Sequence, residues 1–185
     1  MSLPFRRLLP LLLLLLAGCV AAPRPVATVG APQTARALLM ARAEAGPVPL
    51  VIRGTLRNLS AEQMAKAAAR GVRALDVRFR PQPEPPPADS YLLLVLREAG
   101  KPLPREVCRS ADALAGSVAE TVVAAWCEEG RTVAAVEVPS GEPAAAAVKR
   151  AIWRAMAALF PDNYADTYGF DLFGQRITIG GTFGF

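Results

Sequence analysis

Cys108 and Cys127 constrain what this chain can fold into more than any other feature. Between them runs "RSADALAGSVAETVVAAW", alanine-rich enough to read as one long helix. A continuous helix from 108 to 127 would hold its ends about 28 Å apart at 1.5 Å per residue. A disulfide requires Cα atoms within roughly 7 Å of each other. The two are mutually exclusive, so the fate of the thiols decides the fold of this segment. The other reading is a hairpin: "ETVVAAWC" and "RTVAAVEV" are Val- and Thr-rich runs separated by "EEG", with Gly130 in the turn. Cys108 then loops back through Ser110–Gly116 and reaches Cys127 on a strand.

Which state the thiols adopt depends on compartment, and the N-terminus supplies the address. Arg6 and Arg7 precede the apolar run Leu8–Leu16 and the small pair Ala17-Gly18, the parts of an export signal. The run is shorter than the roughly 20 residues that span a bilayer. Leu16-Ala17-Gly18-Cys19 resembles the lipobox of bacterial lipoproteins. That resemblance implies that residues 1–18 are removed as a signal peptide. Cys19 then becomes the first residue, with a diacylglycerol on sulfur and an acyl chain such as palmitate on nitrogen. One acyl chain binds membranes reversibly, whereas several, at about 0.8 kcal/mol per buried CH₂, hold stably. Val20 stands where the best-known sorting rule places the Asp of inner-membrane retention, which implies the outer membrane, facing the periplasm. An ordinary secretory signal with an incidental cysteine is the alternative.

In an exported chain Cys108 and Cys127 should oxidise, so the hairpin and a structural disulfide are expected over the helix and free thiols. The pair lacks the C-x-x-C spacing of oxidoreductases.

Removing Arg6 and Arg7 with the signal leaves 19 basic and 16 acidic residues, a net charge of +3 instead of +5. The charge is dispersed, with no Lys/Arg block, and does not argue for nucleic acid. Histidine is absent, which excludes Ser-His-Asp and Cys-His catalysis, H-E-x-x-H zinc sites and haem ligation by histidine. No G-x-G-x-x-G, P-loop or S-x-x-K motif occurs. No cofactor and no metal site is expected.

Along the chain, Cys19–Gln33 is small, proline-punctuated and reads as a flexible tether. Thr34 can cap a helix closed by Gly46, and Val48–Gly54 is a strand candidate. Ser60-Ala61-Glu62-Gln63 has capping-box spacing and opens the clearest helix, with Gly71 at its stop. Val72–Phe79 alternates roughly and reads as a strand. "PQPEPPP", Pro81–Pro87, reads as an extended connector, with a proline-ligand role as the lesser reading. "YLLLVLRE" follows as a buried strand. Pro143 opens an amphipathic helix with Val148, Ile152, Met156 and Leu159 on one stripe and Lys149, Arg150 and Arg154 largely elsewhere. Trp153 reads as interface or core, and packing of this helix on the sheet is expected. The element order over Tyr91–Pro161 resembles that of small bacterial lipoproteins of uncharacterised role; the likeness supports the hairpin and carries no chemistry.

Residues 162–185 form an aromatic, Gly-rich tail or strand. From residue 161 onward the chain holds six of its twelve aromatics. Ile177, Ile179, Phe183 and Phe185 recur with period two. This pattern is similar to the closing-strand signal of outer-membrane β-barrels. A barrel needs eight or more such strands, so the implied role is a strand offered to a partner's sheet edge. An edge strand of the chain's own domain and a flexible tail are the other readings. Asp162, Asp166 and Asp171 do not match an EF-hand loop and read as solvated surface.

The expected architecture is α+β: residues 34–161 form a mainly antiparallel sheet with helices on one face and one disulfide. The expected function is a non-enzymatic, lipid-anchored accessory or interaction module of the cell envelope, bound to the membrane through Cys19 and able to engage an envelope protein partner. A component or client of an outer-membrane β-structure acting through residues 177–185 is the alternative. An enzyme using Asp, Glu, Ser, Lys or Tyr alone has no constellation behind it.

Overall fold

The computed structural model describes residues 27–87 and 89–162, with the backbones of Gly169–Leu172 and Gln175–Thr178. The elements in chain order are β1 (Ala27–Gly30), α1 (Pro32–Glu44), β2 (Val48–Arg53), α2 (Ala61–Gly71), β3 (Phe79–Gln82) and β4 (Ser90–Arg97). They continue with α3 (Ala111–Leu114), β5 (Thr121–Glu128), β6 (Arg131–Pro139), α4 (Ala145–Leu159), β7 (Gly169–Leu172) and β8 (Gln175–Thr178). Six strands form one mixed sheet in the order β1-β6-β5-β4-β2-β3. The β1–β6, β6–β5 and β5–β4 pairs are antiparallel, whereas β2 is parallel to both β3 and β4. The fold is α+β.

The central strands are apolar on both faces because both faces are covered. In β4, Leu92, Leu94 and Leu96 pack with α1, α2 and α4, while Tyr91, Leu93 and Val95 turn to the other side. The same parity splits β5: Val122, Ala124 and Trp126 face the helices, and Val123, Ala125 and Cys127 face away. Cys127 is thereby aimed at the segment around α3, where Val107 and Ala111 complete the second cluster. Cys108 in that segment bonds Cys127, with the Cα atoms 5.9 Å apart. The hairpin turn is Glu129-Gly130, at φ +50° and +72°. A two-residue turn with both φ values positive is type I′ and matches the strand twist. The disulfide and the hairpin are present together, and the short α3 is the only helix between the cysteines, not a continuous one from 108 to 127.

Three expectations are corrected. The stretch 19–33 is not tether throughout: Ala27–Gly30 pairs with Ala134–Glu137 as β1, and Pro32 begins α1. Helix α1 starts there, not at Thr34, because proline is pre-set for the first helical turn; Ala27–Gly30 thus belongs to the folded domain. Val72–Ala74 and the residues up to Arg78 form no strand, and Ala74 takes φ +57°. The strand lies at Phe79–Gln82, and Pro81, expected in a connector, is within it, opposite Leu50. Its missing N–H is tolerated because β3 is the sheet's outer strand and bonds on one side only.

Candidate functional site

A basic surface groove lies where α2 meets α4. Helix α2 forms where its sequence dictates: the Ser60 hydroxyl accepts from the Gln63 N–H (3.3 Å), and the Ser60 N–H donates to the Gln63 side chain (3.2 Å). Its inner face is small, with Ala65, Ala67, Ala68 and Gly71 buried beside Met64. Helix α4 buries the anticipated stripe of Val148, Ile152, Met156 and Leu159, together with Ala147, Ala151 and Ala155. Small residues on both helices let the backbones close in. A Cβ built on Gly71 would lie 2.5 Å from Met156 Cβ and 2.6 Å from the Trp153 carbonyl oxygen.

This close crossing sets the outward flanks of the two helices side by side. Lys66 and Arg70 are one turn apart on α2, and Lys149, Arg150 and Trp153 share a flank of α4. With Gln63 and Ala67 they line an open groove of about 450 Å³. Trp153 is its hinge to α2: its indole N–H donates to the Arg70 carbonyl at 3.0 Å, at the end of α2 where carbonyls lack helical partners. The Arg73 guanidinium lies 5.7 Å from the Trp153 ring centroid, a cation–π distance. Although 39 % exposed, Trp153 is therefore held at both its polar edge and its face.

Four cations line the groove and no carboxylate does. Among the described residues none of the four stands in an ion pair. An acid that feels these cations is Glu62, one turn before Lys66. Its carboxyl is held below the ordinary carboxylate range, first by a backbone N–H, then by the Ser60 hydroxyl, and last by Lys66. Glu62 sits in the first turn of α2, outside the groove lining. Like charges gathered in a concave site repel one another and attract counter-anions, so the chemistry on offer is anion binding.

The opposite face of the sheet holds the other notable polar group. Arg97 and Glu137 are 1 % and 6 % exposed, with Nε 3.5 Å from the carboxylate. Arg97 also donates to the carbonyls of Glu98 and Lys101. The two side chains are buried against each other and the chain that follows β4, which makes the pair part of the packing.

Of the sequence-predicted site residues, Cys108 and Cys127 are joined. Cys19 and residues 1–18 lie outside the described residues. Ile177 is on β8, opposite Phe170 of β7, while Ile179, Phe183 and Phe185 lie outside the described residues. The β7–β8 pair forms its own two-stranded sheet, so Gln175–Thr178 is not an edge strand of the main sheet. Sequence reasoning missed the groove. Its signal was present in halves, a basic flank on each helix, but nothing in the sequence said that the two flanks abut. The chain matches no protein-family model, no curated protein and no solved structure.

Proposed function

We propose that the protein is a lipid-anchored module of the cell envelope, non-enzymatic, facing the periplasm from the outer membrane, and that it works by binding through the α2/α4 groove. The Leu16–Cys19 motif supports the anchor. The observation that carries the binding role is the groove itself: four cations and an oriented tryptophan, with no acid among them. The Cys108–Cys127 bond supports an oxidising compartment. A second reading makes the protein a component or client of an outer-membrane β-structure, acting through residues 177–185. It is favoured by the pairing of β8 with β7 alone, apart from the six-stranded sheet.

Crosslinking in intact cells separates the two, using the full chain and a chain ending at Phe173. The same captured neighbours from both chains are expected if the groove is the working surface. Neighbours captured by the full chain alone would overturn that and place function in the tail.

A further inference from the structure

We propose that the α2/α4 groove docks the phosphate headgroups of an anionic bilayer, the membrane that holds the Cys19 anchor. The inference rests on the anchor reading of Cys19 and adds a second, electrostatic contact between the same domain and the same surface.

Reach comes first. Ala27 is the first described residue, and eight Cα–Cα steps separate it from Cys19. Fully extended they cover about 28 Å at ~3.5 Å each. A domain of this size is roughly 35–40 Å across. Ala27 therefore never lies farther than that extended reach from a bilayer holding Cys19, less than one domain diameter, so the domain stays next to the headgroups and needs only a small displacement to touch them. A tether this short gives any surface contact an effective concentration on the order of millimolar.

Composition comes second. Lys66, Arg70, Lys149 and Arg150 supply positive charge on long stems that can reach outward while their methylenes cover apolar surface. Trp153 stands among them partly exposed, and Trp beside Lys and Arg is the combination enriched where protein meets the membrane interface. A groove of about 450 Å³ falls in the size range of small-ligand sites, enough for a phosphoglycerol headgroup. The indole N–H is already engaged by the Arg70 carbonyl, so the ring is oriented before any lipid arrives.

The test uses the chain from residue 19 to 185 carrying Cys19→Ser, so that no acyl chain contributes. Among the described residues the core lies between Ala35 and Phe160, and the cut removes none of these. Co-sedimentation is measured with vesicles of equal parts phosphatidylglycerol and phosphatidylcholine, and with phosphatidylcholine alone. Binding to the anionic vesicles only, weakening as salt shortens the screening length, is expected. Each cation near such a surface strengthens binding about fivefold, so Lys66→Gln with Arg70→Gln should weaken it about 30-fold. Arg105→Gln with Arg109→Gln, exposed cations on the Cys108 segment, should leave it within about twofold, a margin well under one surface cation's contribution. Equal loss from the two pairs would reduce the effect to net charge and overturn the groove. Equal binding to phosphatidylcholine would overturn the electrostatic contact. Displacement from the vesicles by millimolar glycerol phosphate would make the groove a soluble-ligand site and overturn membrane docking. Failure of the anchor itself is read separately, from the mass of the N-terminal peptide.

Discussion

Gly71 lies directly against the backbone of Trp153: a Cβ on the glycine would sit 2.6 Å from the tryptophan's carbonyl oxygen. The contact fixes the spacing of α2 and α4 and hence the width of the basic groove. Alanine is the better helix former by about 1 kcal/mol, so at an uncrowded position Gly71→Ala would stabilise. Here the neighbour is backbone and cannot turn aside. Overpacking costs about 1–3 kcal/mol, and urea denaturation should show a net loss of stability. A gain would mean the helices are free to separate.

The buried pair Arg97–Glu137 gives a sharper contrast. Glu137→Ala leaves the buried guanidinium without its counter-charge, which typically costs about 3–5 kcal/mol. Replacing both residues, Arg97→Met with Glu137→Leu, removes the charges together and should cost well under the single change. Chemical denaturation of the two variants measures the difference. A double variant as unstable as the single one would show that packing, not charge, is at stake.

The disulfide holds the segment around α3 onto the sheet. Cys108 and Cys127 are 19 residues apart, and a cross-link closing a loop of that size contributes about 3 kcal/mol. Cys108→Ala with Cys127→Ala should lose that amount and become insensitive to reductant, while the native chain loses it only when dithiothreitol is present. Equal denaturation midpoints with and without reductant would contradict this.

Acid should loosen the start of α2. The Glu62 carboxyl is held below its ordinary range by a backbone N–H first and the Ser60 hydroxyl second. A folded-state pKa below the unfolded one stabilises fully above the ordinary carboxylate pKa. That contribution disappears as pH falls through the lowered value. Glu62→Gln should therefore melt below the native chain at neutral pH and converge with it in acid. A gap that widens as pH falls would reverse the sign and refute the assignment.

The sequence signals that succeeded were local or pairwise. Ser60 and Gln63 announced a cap that needs four consecutive residues, and the spacing of Cys108 and Cys127 made a disulfide and a continuous helix between them incompatible. The hydrophobic stripe of α4 emerged from its 3.6-residue period. What failed was non-local. Ala27–Gly30 carries no strand pattern, and it is a strand because β6 offers it an edge. Pro81 argues against a strand until one knows that β3 is the outermost. The parallel pairing of β2 with β4 leaves no trace in either segment, since both are buried runs that would suit either direction. The groove needed the crossing at Gly71, and a glycine at a helix end reads as a stop signal, not as a contact.

The central claim is that this domain works while held to a membrane through Cys19. The most direct measurement is the mass of the N-terminal peptide of protein recovered from envelope membranes. The account predicts a peptide beginning at Cys19 whose mass exceeds that of the bare sequence by a diacylglycerol and a fatty acyl chain. A peptide that begins elsewhere, or one beginning at Cys19 with a free thiol, would contradict it.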